Sequence, residues 1–298
     1  MLFRPWAAAL RGAVASAIAK VLLLLLVLAS ALVAACNTTE VTKTTSGSGN
    51  PSGAPGDQPP VTTLFSPAIT SVTIEVDYAP GAEPYVGTVK DFGDPWELFN
   101  ANVLALFEGK KAVEFPRTLA KMEKLDDVDG ATFTTQEVLD IAAAHRTEPQ
   151  YSDAVAFYIV FLPGIYVDDE GNEQPKTLGL SIGNTGVVAL FKPAIKTPVG
   201  NPTAPPQFVE QLALVHFLGH AVGFVDNGVP VGENNRAHVD LDNPHHCTNT
   251  QCAMHVGIES VSGAVAFAKT LIRSSQAVLI GQECLSDARI LESSQLSK

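Results

Sequence analysis

His216 and His220 stand four residues apart in the apolar stretch Leu-Ala-Leu-Val-His-Phe-Leu-Gly-His-Ala-Val-Gly-Phe-Val-Asp, residues 212–226. On a helix that spacing projects both imidazoles from one face, a turn apart. One helix can then offer two nitrogen ligands to a single metal ion. Gly223 follows where a helix can end and the chain reverse without a Cβ penalty. A lone histidine among Leu212, Val215, Leu218, Val222 and Phe224 is more often satisfied core than ligand. Two at this spacing, with a glycine after them, favour the metal reading. Six of the seven histidines of the 298-residue chain lie between 216 and 255. The exception, His145, reads as a helix-surface residue.

The stretch resembles the zinc-binding helix of metzincin-type metalloproteases, His-Glu-x-x-His-x-x-Gly, except that Phe217 holds the glutamate's place. Further on, His246-Cys247-Thr-Asn-Thr-Gln-Cys252-Ala-Met254 resembles the archaemetzincin branch, in which a third zinc-binding histidine precedes a cysteine and a methionine forms the turn beneath the metal. The chain departs from that branch in the missing glutamate, in the insertion after Gly223, and in lacking a downstream Cys-x-x-Cys. The resemblance implies an α+β fold: a zincin/metzincin-like domain with a mixed sheet packed on helices, the zinc-binding helix among them. It implies zinc as cofactor, on His216, His220 and His246, with Met254 as the turn. Asp226 is an alternative third ligand, because the uninterrupted spacing reaches it and the snapalysins use aspartate there. His238 and His245 are others. Three neutral imidazoles leave a fourth position for water, as in catalytic zinc sites, and Asp226, Asp240 or Asp242 could orient them.

Cys247 and Cys252 enclose a short loop and could form a disulfide, leaving Cys284 unpaired; Cys284 could equally pair with one of them. A Cys/His structural zinc site competes with both arrangements, although thiols outside the cytoplasm tend to be oxidised.

The site needs a scaffold. Residues 69–78 alternate as a half-buried strand does. Asp94-Pro95 opens a helix to about Glu108. Residues 113–125 read as a strand despite Pro116, and Thr134-Thr135-Gln136-Glu137 is a capping box opening a helix through His145. Residues 154–162 are apolar enough for a central strand, Asp168–Glu173 reads as a solvated loop, and 178–182 and 187–191 form two more strands.

At the N-terminus, Arg4, Arg11 and Lys20 precede an apolar run from Val21 to Leu32 and the small residues before Cys36. This is an export signal, and its junction resembles the lipobox of bacterial lipoproteins, implying cleavage before Cys36 and lipidation of its sulfur. Residues 1–35 are then signal peptide, 36–65 the lipidated cysteine and a Ser/Thr/Gly/Pro linker, and 66–298 the metzincin-like domain. Losing the signal takes the net charge from −12 to −15, which argues against a nucleic-acid partner and leaves membrane attachment to the lipid. The expected place is the bacterial cell envelope. Asn37, where an inner-membrane protein can carry aspartate, points to the outer membrane or cell surface.

Phenylalanine cannot accept a proton, and general acid–base help is typically worth about 10²–10⁴-fold. The leading expectation is an envelope-anchored, zinc-binding but catalytically impaired module for a peptide or protein ligand. The alternatives are an active zinc peptidase with a displaced base (Glu233, Asp240 or Asp242) and a structural lipoprotein without metal.

Overall fold

The computed structural model describes residues 61–90, 93–148, 153–196, 205–274 and 276–296. The signal peptide, Cys36 and the linker up to residue 60 lie outside the described residues. Among the described residues no helix is long and apolar enough to cross a membrane.

The elements run α1 Val61–Leu64, β1 Ser71–Tyr78, α2 Trp96–Leu106, β2 Ala112–Glu114, β3 Glu123–Lys124, β4 Thr132–Thr134, α3 Thr135–His145, β5 Ala154–Leu162, β6 Ile165–Val167, β7 Glu173–Gln174, β8 Gly179–Ile182, β9 Val187–Phe191, α4 Lys192–Lys196, α5 Pro206–Ala221, α6 Val261–Ser274 and α7 Gln282–Leu296. The main sheet has the order β2-β1-β5-β9-β8, with β3 also on β1. All its pairings are parallel except the edge pair β8–β9. β4, β6 and β7 form a smaller sheet. The expected mixed sheet packed on helices is the observed fold.

β5 is buried on both faces, which accounts for its unbroken apolar run. Phe157, Ile159 and Phe161 pack into the core shared with α2, α5, α6 and α7. Tyr158, Val160 and Leu162 pack with Val138 and Ala142 of α3. The capping box forms in full, with the Glu137 N–H donating to Thr134 Oγ1 and the Thr134 N–H to Glu137 Oε2. Two expectations need correction. The strand read over 113–125 is two short strands: β2 pairs with the start of β1 and β3 with its end, and Pro116 cannot donate to a ladder between them. The linker drawn to residue 65 stops short of it, because Leu64 and Phe65 are buried and Phe65 lies against Phe107 and Phe224.

Helix α5 is apolar nearly all round and therefore central; every residue from Phe208 to Gly219 is buried. Its first turns are anchored by Glu210, which accepts from the Tyr85 N–H at 2.7 Å and pairs with the buried Lys192 ammonium. That ammonium lies 3.6 Å from the centre of the Tyr85 ring.

Asp77 is a buried carboxyl on β1, and its Oδ2 has no hydrogen-bond partner. Burial pushes it up to about 7, against the lowering influence of the Tyr158 hydroxyl. The folded value exceeds the unfolded one of 3.8, so folding stability falls as pH rises from about 4 to about 7 and stays reduced above that. Asp77→Asn should flatten this dependence, gaining at most about 4 kcal/mol at pH 8 and little at pH 4. Urea unfolding at the two pH values reads this directly, and equal effects at both would remove the ionised carboxylate as the cause.

Candidate metal centre

The continuous helix α5 carries His216 and His220 on one face, with ring centroids 4.6 Å apart and Nε2 atoms 3.1 Å apart. It ends as expected: Gly223 has φ 85, and the Phe224 N–H donates to Gly219 O. Val225 and Asp226 follow at φ 57 and φ 60, a left-handed pair without glycine that turns the chain sharply out of the helix. Asp226 ends exposed and outside the cluster of donors.

The chain returns through a 3₁₀ turn, Glu233–His238. There Val239 bridges Cys247 and the Asp240 N–H donates to His246 O at 2.8 Å. This brings the His246 ring to 4.9 Å from His220 and 5.6 Å from His216, centroid to centroid. The other nitrogens of two of these rings are already engaged. His216 Nδ1 lies 2.6 Å from Ala253 O and His246 Nδ1 lies 2.9 Å from Pro244 O. A carbonyl only accepts, so each Nδ1 carries a proton and Nε2 is the nitrogen turned to the centre. His216, with 0% exposure, is therefore not a core histidine satisfied at both nitrogens by the backbone.

A fourth donor that the sequence reading missed completes the group. Glu259 Oε1 lies 3.2 Å from His246 Nε2, 3.7 Å from His216 Nε2 and 4.0 Å from His220 Nε2. The four ligand atoms all lie within 4.8 Å of one another. Zinc–nitrogen bonds of about 2.0–2.1 Å put tetrahedral corners roughly 3.3 Å apart, so the donor set fits such an ion with small adjustments. Burial, then the neighbouring His216 and His246, push His220 well below its ordinary value. Burial opposes the charge of Glu259 too, but the imidazoles of His216 and His246 outweigh it and hold the carboxyl well below the usual range. A neutral imidazole beside an anionic carboxylate suits a divalent cation.

Met254 packs against the helix: a Cβ added at Gly219, between the two histidines, would sit 2.2 Å from Met254 Sδ. Phe217 projects beside the centre, its ring edge-on to His216 at 4.9 Å and packed against Gly179 of β8. The centre opens into a cleft of about 470 Å³ lined by Gly179, Leu180 and Ser181 of β8 together with Phe217, His246 and Glu259. His245, at φ 65, lines this cleft but is not among the clustered donors. Glu233, Asp240 and Asp242 do not line it; Asp240 instead caps its own turn, accepting from the Asp242 and Asn243 N–H groups. A larger hollow of about 680 Å³ lies at the opposite sheet edge, away from both donor clusters.

The structure joins no pair of the three cysteines after Cys36 in a disulfide. Cys247, Cys252 and Cys284 are free and buried, with Cys252 Sγ 3.7 Å from Cys284 Sγ. His238, weighed as a third ligand of the first centre, belongs here: its Nδ1 lies 3.8 Å from Cys284 Sγ. His238, Cys247 and Cys284 form a second group whose donor atoms lie within 4.8 Å of one another. His238 Nε2 lies 2.8 Å from Asp287 Oδ2, and hydrogen bonds to Asp287 and Cys247 raise its value to about 9. Backbone N–H groups of Gly281 and Met254 point at Cys252 Sγ, as suits an electron-rich sulfur. The odd number of cysteines after Cys36, beside a histidine-rich segment, was the available sequence signal for a Cys/His group. Glu259 had no motif, only its place a few residues beyond the methionine turn.

No protein-family model matches the chain, and no curated protein resembles it closely enough to count as a relative. Two solved structures match it over most of its length. An archaemetzincin from Methanopyrus kandleri is 11% identical over 78% of this chain and 98% of that one, with a TM-score of 0.40. A zinc-dependent peptidase from Methanocorpusculum labreanum is 11% identical over 74% of this chain and 100% of its own, with a TM-score of 0.41. Likeness at that level leaves the site to be judged by its own residues.

The contact of Gly219 with Met254 gives a direct test of this arrangement. Met254 is fully buried, so Gly219→Ala should overpack the junction and cost about 1–3 kcal/mol. A lowered denaturant midpoint would show the loss; a midpoint raised by the roughly 1 kcal/mol that alanine gains over glycine inside a helix would mean that helix and methionine are not in contact.

Proposed function

We propose that this chain is an envelope-anchored, zinc-binding lipoprotein of metzincin-like build that binds peptide segments in its cleft and is impaired as a peptidase. The observation that carries the reading is the pairing of three convergent imidazole nitrogens with the Phe217 ring beside them. The ligand set is retained while the helix position next to His216 offers no proton acceptor. His216, His220 and His246 would hold the ion, with Ala253 O and Pro244 O fixing two of the rings. Bound zinc would supply Lewis-acid polarisation of a carbonyl oxygen. Phe217 dries the space beside it and cannot move a proton. The second group, His238, Cys247 and Cys284, offers the imidazole and thiolate donors of a structural zinc site, with Cys252 Sγ 3.7 Å from Cys284 Sγ beside it.

β8 gives the cleft a means of holding peptide. It is the sheet's edge strand, bonded to β9 on one side, and its residues wall the cleft. An extended segment can add to such an edge by main-chain hydrogen bonds. The anchor rests on the N-terminal signal and Cys36.

A second reading, an active peptidase, is favoured by Glu259, the carboxylate at the centre. Metal analysis and a peptide-library assay separate the two. The wild type is expected to hold about two zinc ions, one at each donor group, and to show no cleavage. His216→Ala should lose one ion, and Phe217→Glu should gain cleavage at the general acid–base scale of about 10²-fold or more. Chelator-sensitive cleavage by the wild type would instead establish the active reading, and metal-free protein would leave only a structural lipoprotein. Cys36→Ala should move the protein out of the membrane fraction; retention there would refute lipid anchoring.

A further inference from the structure

We infer that Glu259 is a fourth protein donor to the metal at the three-histidine centre, closing it to water and small anions until a ligand oxygen displaces it. The inference rests on the proposed metal-binding reading and adds to it which group holds the remaining coordination position.

The backbone that carries Glu259 is fixed. It ends the 3₁₀ turn Val256–Glu259, where the Ile258 N–H donates to His255 O at 3.0 Å. Ser260, the next residue, bridges Thr177 just before β8, and its hydroxyl donates to Gly257 O while accepting from the Gly263 N–H. Gly263 permits this junction, since a Cβ there would lie 2.0 Å from Gly257 O. The turn therefore cannot carry the carboxylate to or from the centre by moving as a whole. Any exchange is a rotation of the side chain.

The carboxylate occupies the place of a ligand atom. A general base acting through a metal-bound water would stand a water's breadth from the ligand triangle. Glu259 Oε1 instead lies 3.2, 3.7 and 4.0 Å from the three Nε2 atoms, the spacing of the fourth corner of a tetrahedron. All its ion pairs among the described residues are with these imidazoles. Exposure separates it from the other three donors. Its side chain is 46% exposed, against 0%, 12% and 9% for His216, His220 and His246. Three donors are locked into the protein, and the fourth stands at the cleft mouth where it can turn outward. Four protein donors make the closed type of zinc site, so the resting centre has no place for water until Glu259 turns away. An incoming carboxylate or carbonyl oxygen from a peptide on β8 would compete with Glu259 for the same position.

Cobalt(II) loading of the whole chain tests this without any activity readout. Wild type, Glu259→Ala and Glu259→Gln are loaded and titrated with azide, following the visible absorption of the cobalt. Loaded His216→Ala serves to subtract the contribution of the sulfur site. The wild-type spectrum should not respond to azide, the alanine variant should respond fully, and the glutamine variant should fall between. Zinc affinity of the alanine variant should drop by at least about tenfold, the lower end of what loss of a mere orienting partner produces. An equal azide response in wild type and Glu259→Ala, or unchanged zinc affinity, would overturn this inference alone. Coincident spectra of wild type and His216→Ala would mean that no metal enters the three-histidine centre, which overturns the underlying reading as well.

Discussion

The buried contact between His216 Nδ1 and Ala253 O, at 2.6 Å, ties the two halves of this molecule's chemistry together. One partner lies on the helix that runs beneath the sheet. The other lies on a segment reached only after a long excursion through residues 226–245. Without that carbonyl the imidazole would be free to take the other tautomer or to turn, and its Nε2 would no longer be committed to the centre. The same segment supplies Met254, which packs on Gly219. A single stretch thus sets the orientation, protonation and depth of the first ligand.

That stretch is itself held from the opposite side. His246 turns toward the helix while its neighbour Cys247 turns toward Cys252, Cys284 and His238. In extended chain, adjacent side chains point to opposite faces, which lets consecutive residues serve different donor groups. The sulfur group lies between the segment and helix α7, which contributes Cys284 and Asp287. A cation gripped by His238, Cys247 and Cys284 would therefore brace the segment from behind, at the position next to His246. Loss of that brace would reach the first centre through backbone alone, with no contact between the two ions.

Much of the scaffold was legible because its signals are local. The capping box at Thr134, the alternation along β1 and the apolar run of β5 each carry their own structural instruction within a few residues. The division of residues 113–125 into β2 and β3 was not legible, since both strands exist by pairing with distant β1. The histidine pair on α5 was legible for the same local reason, and His246 through the cysteines and methionine that follow it. His238 stood only as one alternative third ligand, and its true neighbours, Cys284 and Asp287, are brought to it by the packing of α7. Glu259 was invisible because nothing in its neighbours' types marks it. It reaches the centre by the path of the turn after Met254 and by the tie of Ser260 to Thr177.

Phe217 is part of a fitted contact. Its ring fills the gap between α5 and β8, where Gly179 leaves room: a Cβ there would meet the ring at 2.8 Å. The glycine is not explained by the ring alone, because the same Cβ would also lie 2.5 Å from Ala189 O on β9. The close β8–β9 approach demands glycine, glycine opens a gap on the helix side, and an aromatic ring closes it. A glutamate at 217 would place a charge against that apolar wall and leave part of the gap empty, a loss on the order of 1–3 kcal/mol from packing and desolvation. The burial that makes the phenylalanine stable is thus the same burial that keeps water and protons from His216. In this cleft, tighter packing against β8 and proton transfer beside the imidazoles draw on one small volume, and the volume is occupied by the ring.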